Sequence, residues 1–284
     1  MIGIISYLPN EAHARFIRRK AHIRQLKELV NIFRREDIII VAQNYRENEF
    51  VNYSRIKYIR FDHGIGPAEA RNVLLKKFYD SQDECLLLMD DDVLWYDYYD
   101  ACSLVVDFYK NSSKYDFDLL IPTDPMREPF KKRLFNKETE KSFLLKRIGL
   151  TDCPNIMLLK KVGLLQDGFD RKDPGAVNED IRFLAEFITH GFKGYKCLHW
   201  IKKTYSNACC SIIESTSERE SLAWHKMLVK NSERFIIEKY GVSMRDFSKR
   251  FNKADKERTI NRIQPYRIQA ELIPKEYRKA PIKE

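Results

Sequence analysis

The sequence predicts an α/β protein in which a Rossmann-like sheet carries helices on both faces. Short apolar runs of strand length recur through the first 121 residues, and two longer segments with apolar residues at helical spacing separate them. The resulting order, β-α-β-β-α-β, is typical of sheets whose crossover helices cover both faces.

The first three predicted elements are a strand, a helix and a second strand. Residues 3–8 form a short apolar run, and residues 14–34 place apolar side chains at helical intervals among Lys and Arg. Residues 37–42 contain the run Ile-Ile-Ile-Val, and such β-branched runs are typical of a buried parallel strand.

The next elements continue this alternation. Residues 55–61 alternate between apolar and polar side chains as a half-buried strand does, and residues 67–79 form a helix with proline in its first turn. Residues 85–89 and 117–121 are apolar runs, which predict two further buried strands.

The middle of the chain is less regular. Residues 128–146 are polar and basic and predict a mobile loop. Residues 155–159 and 195–200 predict strands, and residues 179–189 predict a helix that ends near Gly191.

A change in composition near residue 214 predicts two domains. Beyond this point the chain is helix-like and rich in Lys and Arg, with few strand signals. We therefore expect an α/β domain in residues 1–213 and a basic helical C-terminal extension in residues 214–284.

The charge of the chain restricts its partners. The 284 residues include 51 Lys and Arg against 41 Asp and Glu, which gives a net charge of +10. Such a charge attracts nucleic acid, anionic lipid or nucleotide phosphates, although many basic enzymes bind no polyanion. The six cysteines show neither a CxxC pair nor zinc spacing, and no apolar run is long enough to span a bilayer. A cytoplasmic protein without a membrane span is expected.

Three consecutive aspartates, Asp90, Asp91 and Asp92, directly follow a predicted buried strand. In open α/β sheets, ligands bind at the carboxyl ends of the strands. Adjacent carboxylates repel one another, so a hard divalent cation would stabilise them and would also neutralise a diphosphate. The alternative is a solvated acidic turn that caps the next helix, but the position after a buried strand favours the cation site.

Several segments, in order, resemble the GT-A glycosyltransferases of the family 2 type. Residues 64–72 resemble the family's glycine-containing helix start that ends in Arg-Asn, and residues 90–92 resemble its DxD motif. Residues 162–170 resemble its Gly-Phe-Asp segment, residues 178–183 its Glu-Asp helix, and residues 191–195 the Gly-Tyr turn that follows. The resemblance covers about the first 200 residues and implies the nucleotide-diphospho-sugar transferase fold.

The same resemblance implies roles for individual residues. Asp92 and Asp90 would coordinate Mn²⁺ or Mg²⁺, with His199 as a third ligand. Asp180 would be the general base for the acceptor hydroxyl, with Glu179 beside it. A base at this position implies an inverting enzyme with a UDP-sugar donor. The remaining donor contacts would come from Tyr7, Leu8, Pro9, Arg71, Asp90, Asp91, Gln43 and Asn44, the last two standing where the family often has an acidic uridine contact.

Structural alternatives remain open for these assignments. Acidic residues such as Glu179 and Asp180 at a helix start favour the helix dipole without any catalytic role. His199 is also a typical strand histidine, and Arg71 has Glu69 and Asp90 as alternative partners.

The acceptor is predicted from charge. Phosphate-contacting Lys and Arg beside a nucleotide pocket would suit a double-stranded DNA acceptor, as in phage enzymes that transfer glucose from UDP-glucose to glucosylated hydroxymethylcytosine. Two alternatives remain open: a transferase for a capsular or lipopolysaccharide sugar, and a non-catalytic nucleic-acid-binding protein whose aspartates form a structural turn. Besides the C-terminal extension, the basic residues considered lie in the first predicted helix: Arg15, Arg18, Arg19, Lys20, Arg24 and Lys27.

Overall fold

The computed structural model describes most of the first 121 residues and shorter segments beyond them. The described residues are 1–91, 93, 99–121, 140–148, 156–161, 183–184, 187, 192–197, 230, 234, 237–238 and 264–269. The helices are α1 (Ala12–Ile32), α2 (Pro67–Asp80) and α3 (Tyr99–Lys110), with short 3₁₀ turns at Glu47–Glu49 and Ser112–Lys114. The strands are β1 (Ile2–Tyr7), β2 (Ile38–Gln43), β3 (Ile56–Phe61), β4 (Cys85–Asp90), β5 (Leu119–Ile121), β6 (Glu140–Arg147), β7 (Ile156–Lys160), β8 (Gly194–Cys197) and β9 (Gln264–Gln269).

Within the described residues, the strands form one mixed sheet with the order β3-β2-β1-β4-β7-β5-β8-β6-β9. Strands β1 to β4 are parallel, and their pairing places Tyr7 beside Gln43 and Ile5 beside Asp90. Strand β7 runs antiparallel to both β4 and β5, whereas β8 is parallel to β5. Strands β4, β5 and β8 therefore end at the same edge of the sheet.

Two apolar clusters cover the two faces of this sheet. One cluster joins alternate residues of β1, β2 and β4 to α1 and α3, with Ile4 and Phe108 among its fully buried members. The other joins the intervening strand residues to α2, with Leu74 and Phe78 fully buried. Such alternation follows from the two-residue period of a strand. The prediction of an α/β sheet with helices on both faces is confirmed.

The loop predicted for residues 128–146 was wrong at its end, because residues 140–147 form β6. This strand contains Glu-Lys-Ser-Phe-Leu-Leu-Lys-Arg, which has no long apolar run. Its main-chain groups pair with β8 on one side and β9 on the other, so hydrogen bonding sets its conformation. Helix α3 was not predicted.

The predicted C-terminal extension contributes a strand to the sheet. Strand β9 pairs with β6, whereas the described residues between 230 and 238 are helical. The proposed division after residue 213 stays a prediction. Of the predicted helix at 179–189, Phe183, Leu184 and Phe187 are described, and they are helical and packed in the α2-side cluster. Across the described residues, no helix is both long enough and apolar enough to cross a bilayer.

Candidate functional site

The candidate site lies where the strand order reverses. Strand β1 has β2 on one side and β4 on the other. The chain therefore adds β2 and β3 on one side of β1 and then returns to add β4 on the other side. In open α/β sheets, such a switch point leaves a crevice at the carboxyl ends of the strands, and ligands bind there. The residues at these strand ends are Tyr7, Gln43 and Asp90, and Asp91 follows directly.

The side chain of Asp91 ties the end of β4 to β1 and α1. It is completely buried, and its Oδ2 accepts hydrogen bonds from Ser6 Oγ at 2.6 Å and from the Tyr7 amide at 3.3 Å. Arg18 donates to Oδ1 from Nη2 at 2.7 Å and from Nε at 3.1 Å. Burial raises the pKa of this carboxyl, but the charge and hydrogen bonds of Arg18 outweigh it, so the pKa lies below its ordinary value. Asp91 therefore stays ionised and internal.

Asp90 is held from two sides while its side chain remains 23% exposed. Its Oδ1 accepts from Arg71 Nη2 at 3.0 Å, and its main-chain carbonyl accepts from Gln25 Nε2 at 2.7 Å. Burial raises the pKa of this carboxyl above its ordinary value, although the charge of Arg71 partly opposes that effect. Arg71 itself is buried on α2. The partner that the sequence left open for Arg71 is thus Asp90.

A buried polar network lies behind the two aspartates. Ser6 Oγ is 2.5 Å from the Tyr45 hydroxyl, and His22 Nδ1 is 3.1 Å from Gln25 Oε1. The Nε2 atom of His22 is buried and lacks a hydrogen-bond partner among the described residues. Burial lowers the pKa of His22, which favours the neutral imidazole at physiological pH.

Gln43 and Asn44, at the end of β2, hold neighbouring loops by hydrogen bonds. The buried Gln43 accepts at Oε1 from the Ile65 amide at 2.8 Å, so it fixes the glycine-containing segment before α2. Asn44 has a positive φ of 59° and donates from Nδ2 to the Leu8 carbonyl at 2.7 Å. Asparagine tolerates this left-handed conformation better than most residues.

Tyr7 lies across the glycine-containing segment. Its side chain is 36% exposed, and a Cβ built on Gly64 would lie 3.1 Å from Tyr7 Cε2. Two residues later, Gly66 has a φ of 84° and caps α2, with Pro67 in the first turn. The crevice is thus bordered by an accessible aromatic ring and by the amino-terminal end of a helix, where main-chain amides favour anions.

Arg15, predicted to be part of a basic DNA-binding face, is an internal brace. Its guanidinium contacts both carboxylate oxygens of Glu49, at 2.6 and 2.5 Å. It also donates to the carbonyls of Pro9 and Asn44, at 3.0 and 2.6 Å. Arg18 likewise points inward to Asp91. Of the six basic residues predicted on this helix, those classed as exposed are Lys20, Arg24 and Lys27.

The structure brings together the predicted residues of the amino-terminal half. Tyr7, Pro9, Gln43, Asp90 and Asp91 lie at the strand ends or in the loops around the crevice, and Arg71 reaches Asp90 from α2. The predicted residues Asp92, Glu179, Asp180 and His199 lie outside the described residues.

The proposed divalent cation has one candidate ligand within the described part of the chain. No group of three or more metal-binding side chains occurs among the described residues. Asp90 suits a ligand position because its side chain is partly exposed at the crevice, although Arg71 occupies Oδ1. Strand β8 ends at the same sheet edge as β4 but lies three strands away from it. At ordinary strand spacing, the distance between the two strands is roughly 14 Å.

Sequence reasoning missed the roles of Ser6, Arg18, Gln25 and Tyr45 in this site. A signal was present: Arg18, His22 and Gln25 recur at i, i+4 and i+7 and form a polar row on one helix face. Polar residues in that spacing next to a core-facing row indicate a buried network. Their partner, Asp91, is 73 residues from Arg18, so the contact itself was not visible in the sequence.

Comparison with known proteins gives only distant similarities. No known protein-family model matches the sequence. No curated protein matches it either. The structure of S. aureus TarS 1-349 matches with a TM-score of 0.40 and 13% identity, over 83% of this chain and 72% of that chain. TarS 1-349 in complex with UDP-GlcNAc gives the same score and identity over 82% and 73%.

A second kind of solved structure is similarly distant. CMP:2-keto-3-deoxy-manno-octonic acid synthetase, complexed with CTP, has a TM-score of 0.41 and 9% identity, over 78% of this chain and 98% of that chain. Similarity at these levels assigns neither a family nor a substrate to this chain.

Proposed function

We propose that the chain is a metal-dependent, inverting glycosyltransferase that uses a UDP-sugar donor. One observation carries the proposal: the strand order reverses at β1, and Asp90, Asp91 and the glycine-containing segment before α2 lie at the strand ends around this point. Nucleotides bind at such switch points, and diphosphates favour helix amino termini. The motif order in the sequence supports a sugar nucleotide as the ligand.

Two parts of the donor, the base and the diphosphate, have suitable groups at the crevice. The exposed ring of Tyr7 offers a stacking surface for the base. The amides at the start of α2, after Gly66, face the edge where the diphosphate would lie. Asp90, Asp92 and His199 would hold Mn²⁺ or Mg²⁺, which supplies positive charge to the leaving diphosphate.

The transfer step requires a base near the acceptor. An acceptor hydroxyl oxygen would attack the anomeric carbon while the bond from that carbon to the diphosphate oxygen breaks. UDP leaves, and Asp180 would take the hydroxyl proton, with Glu179 beside it. A single displacement of this kind inverts the anomeric centre.

We propose glucosylated hydroxymethylcytosine in double-stranded DNA as the acceptor and UDP-glucose as the donor. This is the reaction of the T-even-type phage β-glucosyl-HMC-α-glucosyltransferase, which the chain resembles in size and basicity. The net charge of +10 and the exposed basic residues of α1, which begins just after the end of β1, support a polyanionic acceptor. The modification would protect phage DNA from host restriction.

Nucleoside mass spectrometry tests the proposal directly. The purified protein is incubated with UDP-glucose and Mn²⁺ on unmodified, hydroxymethylated and α-glucosylated hydroxymethylated DNA. A hexose gain on the glucosylated DNA alone is expected, and Asp92→Ala should abolish it. Asp80→Ala, an exposed aspartate at the end of α2, is the matched control and should retain activity.

The other outcomes separate the alternatives. UDP-glucose hydrolysis without hexose gain on any DNA would reject DNA as the acceptor and favour a polysaccharide acceptor. DNA binding without transfer or hydrolysis, unchanged in Asp92→Ala, would reject the enzyme and favour a nucleic-acid-binding protein with a structural acidic turn.

A further inference from the structure

A polar row on α1 holds the main chain at the point where β4 ends. Arg18, His22 and Gln25 lie along one helix face, and two of them contact consecutive residues of the acidic motif. We propose that Arg18 and Gln25 are positioning residues, which fix Asp90 and Asp91 where the acidic motif begins. The inference rests on the proposed function, because it concerns the same nucleotide site.

Gln25 acts on the main chain of Asp90. The residue is completely buried, and its Nε2 donates to the Asp90 carbonyl at 2.7 Å. Its Oε1 lies 3.1 Å from His22 Nδ1, and the neutral imidazole can donate from that nitrogen. The Asp90 carbonyl can only accept, so the amide nitrogen of Gln25 must face it. The amide oxygen then faces His22, which donates from Nδ1.

Arg18 acts on the side chain of the next residue. Its guanidinium donates to Asp91, whose other oxygen accepts from Ser6 and the Tyr7 amide. The carboxylate thereby joins α1, β1 and the end of β4. With Asp90 held through its carbonyl and Asp91 through its side chain, two consecutive residues at the end of β4 are fixed.

The network of Arg18, His22 and Gln25 is better explained by the main-chain geometry that it fixes than by a gain in stability. Removing a carboxylate from water is costly, and buried ion pairs are often no more stabilising than apolar residues of the same volume. An apolar alternative would be available at Gln25, because its neighbours Leu26 and Leu29 are fully buried core residues. A network that specifies the direction of one peptide is useful where the following residue must meet a ligand.

The test compares Gln25→Met and Arg18→Met with Arg24→Met. Methionine keeps the length and helix propensity of glutamine but removes the donor to Asp90. Arg24→Met is the matched control, because Arg24 also lies on α1 and pairs with a buried carboxylate, Glu28, at 3.0 Å. The control disrupts an ion pair of the same helix that does not involve the acidic motif.

Two measurements are made on each full-length variant. Amide hydrogen exchange is followed in peptides that cover the end of β4, and the Kd for UDP is measured with Mn²⁺. Gln25→Met should raise exchange there and weaken UDP binding about tenfold, equivalent to about 1.4 kcal/mol. Arg18→Met should have an equal or larger effect, whereas Arg24→Met should leave the Kd unchanged and should not raise exchange at the end of β4 more than elsewhere in the chain.

The outcomes separate the inference from the proposed function. Faster exchange with an unchanged Kd in Gln25→Met would show a purely structural role and overturn the inference. Unchanged exchange in Gln25→Met would overturn it as well. If the wild-type protein binds no UDP, the proposed function fails, whereas faster exchange confined to Gln25→Met and Arg18→Met would still support control of this main chain by α1. Gln25→Met provides the decision if Arg18→Met does not fold.

Discussion

At the scale of single residues, the site depends on buried polar groups whose charge states are fixed by their surroundings. Asp91 is ionised because Arg18 donates to it, whereas the buried His22 is neutral because burial lowers its pKa. Both lowered pKa values reduce stability as pH falls, but over different ranges: below about 6.5 for His22 and below about 3.8 for Asp91. They can therefore be separated by measuring stability over different pH ranges.

The lowered pKa of His22 predicts a loss of stability in mild acid. Its folded-state pKa lies below the ordinary value of 6.5, so the unfolded chain takes up the proton first. The free energy of unfolding should fall as pH drops below about 6.5, by at most about 1.4 kcal/mol per pH unit from this one group. His22→Met should remove that part of the slope in denaturant titrations at pH 7, 6 and 5. Identical slopes in both proteins would contradict the prediction.

Gly194, at the start of β8, should not accept a side chain. A Cβ at this position would lie 2.3 Å from Ile148 Cδ1 and 2.9 Å from its Cγ1. Gly194→Ala should therefore lower the free energy of unfolding by about 1–3 kcal/mol, the usual cost of overpacking. Combining it with Ile148→Val, which lacks the clashing Cδ1, should recover part of this loss in chemical denaturation. Additive losses in the double variant would count against the clash.

At the scale of elements, α1 connects the loops around the crevice. Its first turns carry Arg15, which joins Glu49 to the loop after β1, and its middle carries Arg18 and Gln25, which hold the end of β4. The helix is thus both a crossover and a support for two strand ends. Its inward-facing residues matter to the site more than its exposed charges do.

Breaking the Arg15–Glu49 pair should be costly, because both side chains are largely buried. Arg15→Met leaves the Glu49 carboxylate without its main partner and should destabilise the fold by about 3–5 kcal/mol. Glu49 also has a pKa lowered mainly by its hydrogen bonds with Arg15, so its stabilising effect should fade as pH falls through that lowered pKa. Thermal melts from pH 7 to 3 measure both effects. A melting temperature unaffected by Arg15→Met would refute the brace.

The sequence predicted the elements that have strong periodic signals. Strands β1, β2 and β4 were visible because both faces of each are buried, which gives continuous apolar runs. Strand β6 was missed because its residues are mostly polar and its conformation comes from pairing with β8 and β9. The position of Asp90 at a strand end was predicted, whereas the inward orientation of Arg15 and Arg18 was not. Contacts between residues far apart in sequence leave no local signal.

At the scale of the whole molecule, the net charge is +10, and the described basic residues divide between internal ion pairs and exposed positions. Lys20 and Lys27 are exposed on α1, and Lys76 and Lys77 are exposed on α2, which packs on the other face of the sheet. If DNA is the acceptor, the α1 side should contribute specifically, because it borders the loop after β1.

Charge reversal on α1 should therefore weaken DNA binding more than charge reversal on α2. Lys20→Glu with Lys27→Glu should lower DNA affinity and reduce the slope of log affinity against log salt by about 0.9 for each phosphate that is no longer neutralised. Lys76→Glu with Lys77→Glu changes the net charge equally and serves as the control. Fluorescence anisotropy across a salt series measures both slopes. Equal weakening by the two pairs would indicate a general charge effect and exclude direct DNA binding by α1.

The order of strands in the sheet also has a consequence during protein synthesis. Strands β1 to β4 have their mutual partners as soon as residue 91 has left the ribosome, but the other edge of β4 is covered only by β7, about 65 residues later. At ordinary elongation rates of about 5–20 residues per second, this edge, in which residues 85–89 are apolar, waits roughly 3–13 s for its partner. Unpaired apolar edges promote aggregation. Slow codons between positions 92 and 155 should therefore lower the soluble yield, whereas the same codons after position 160 should not.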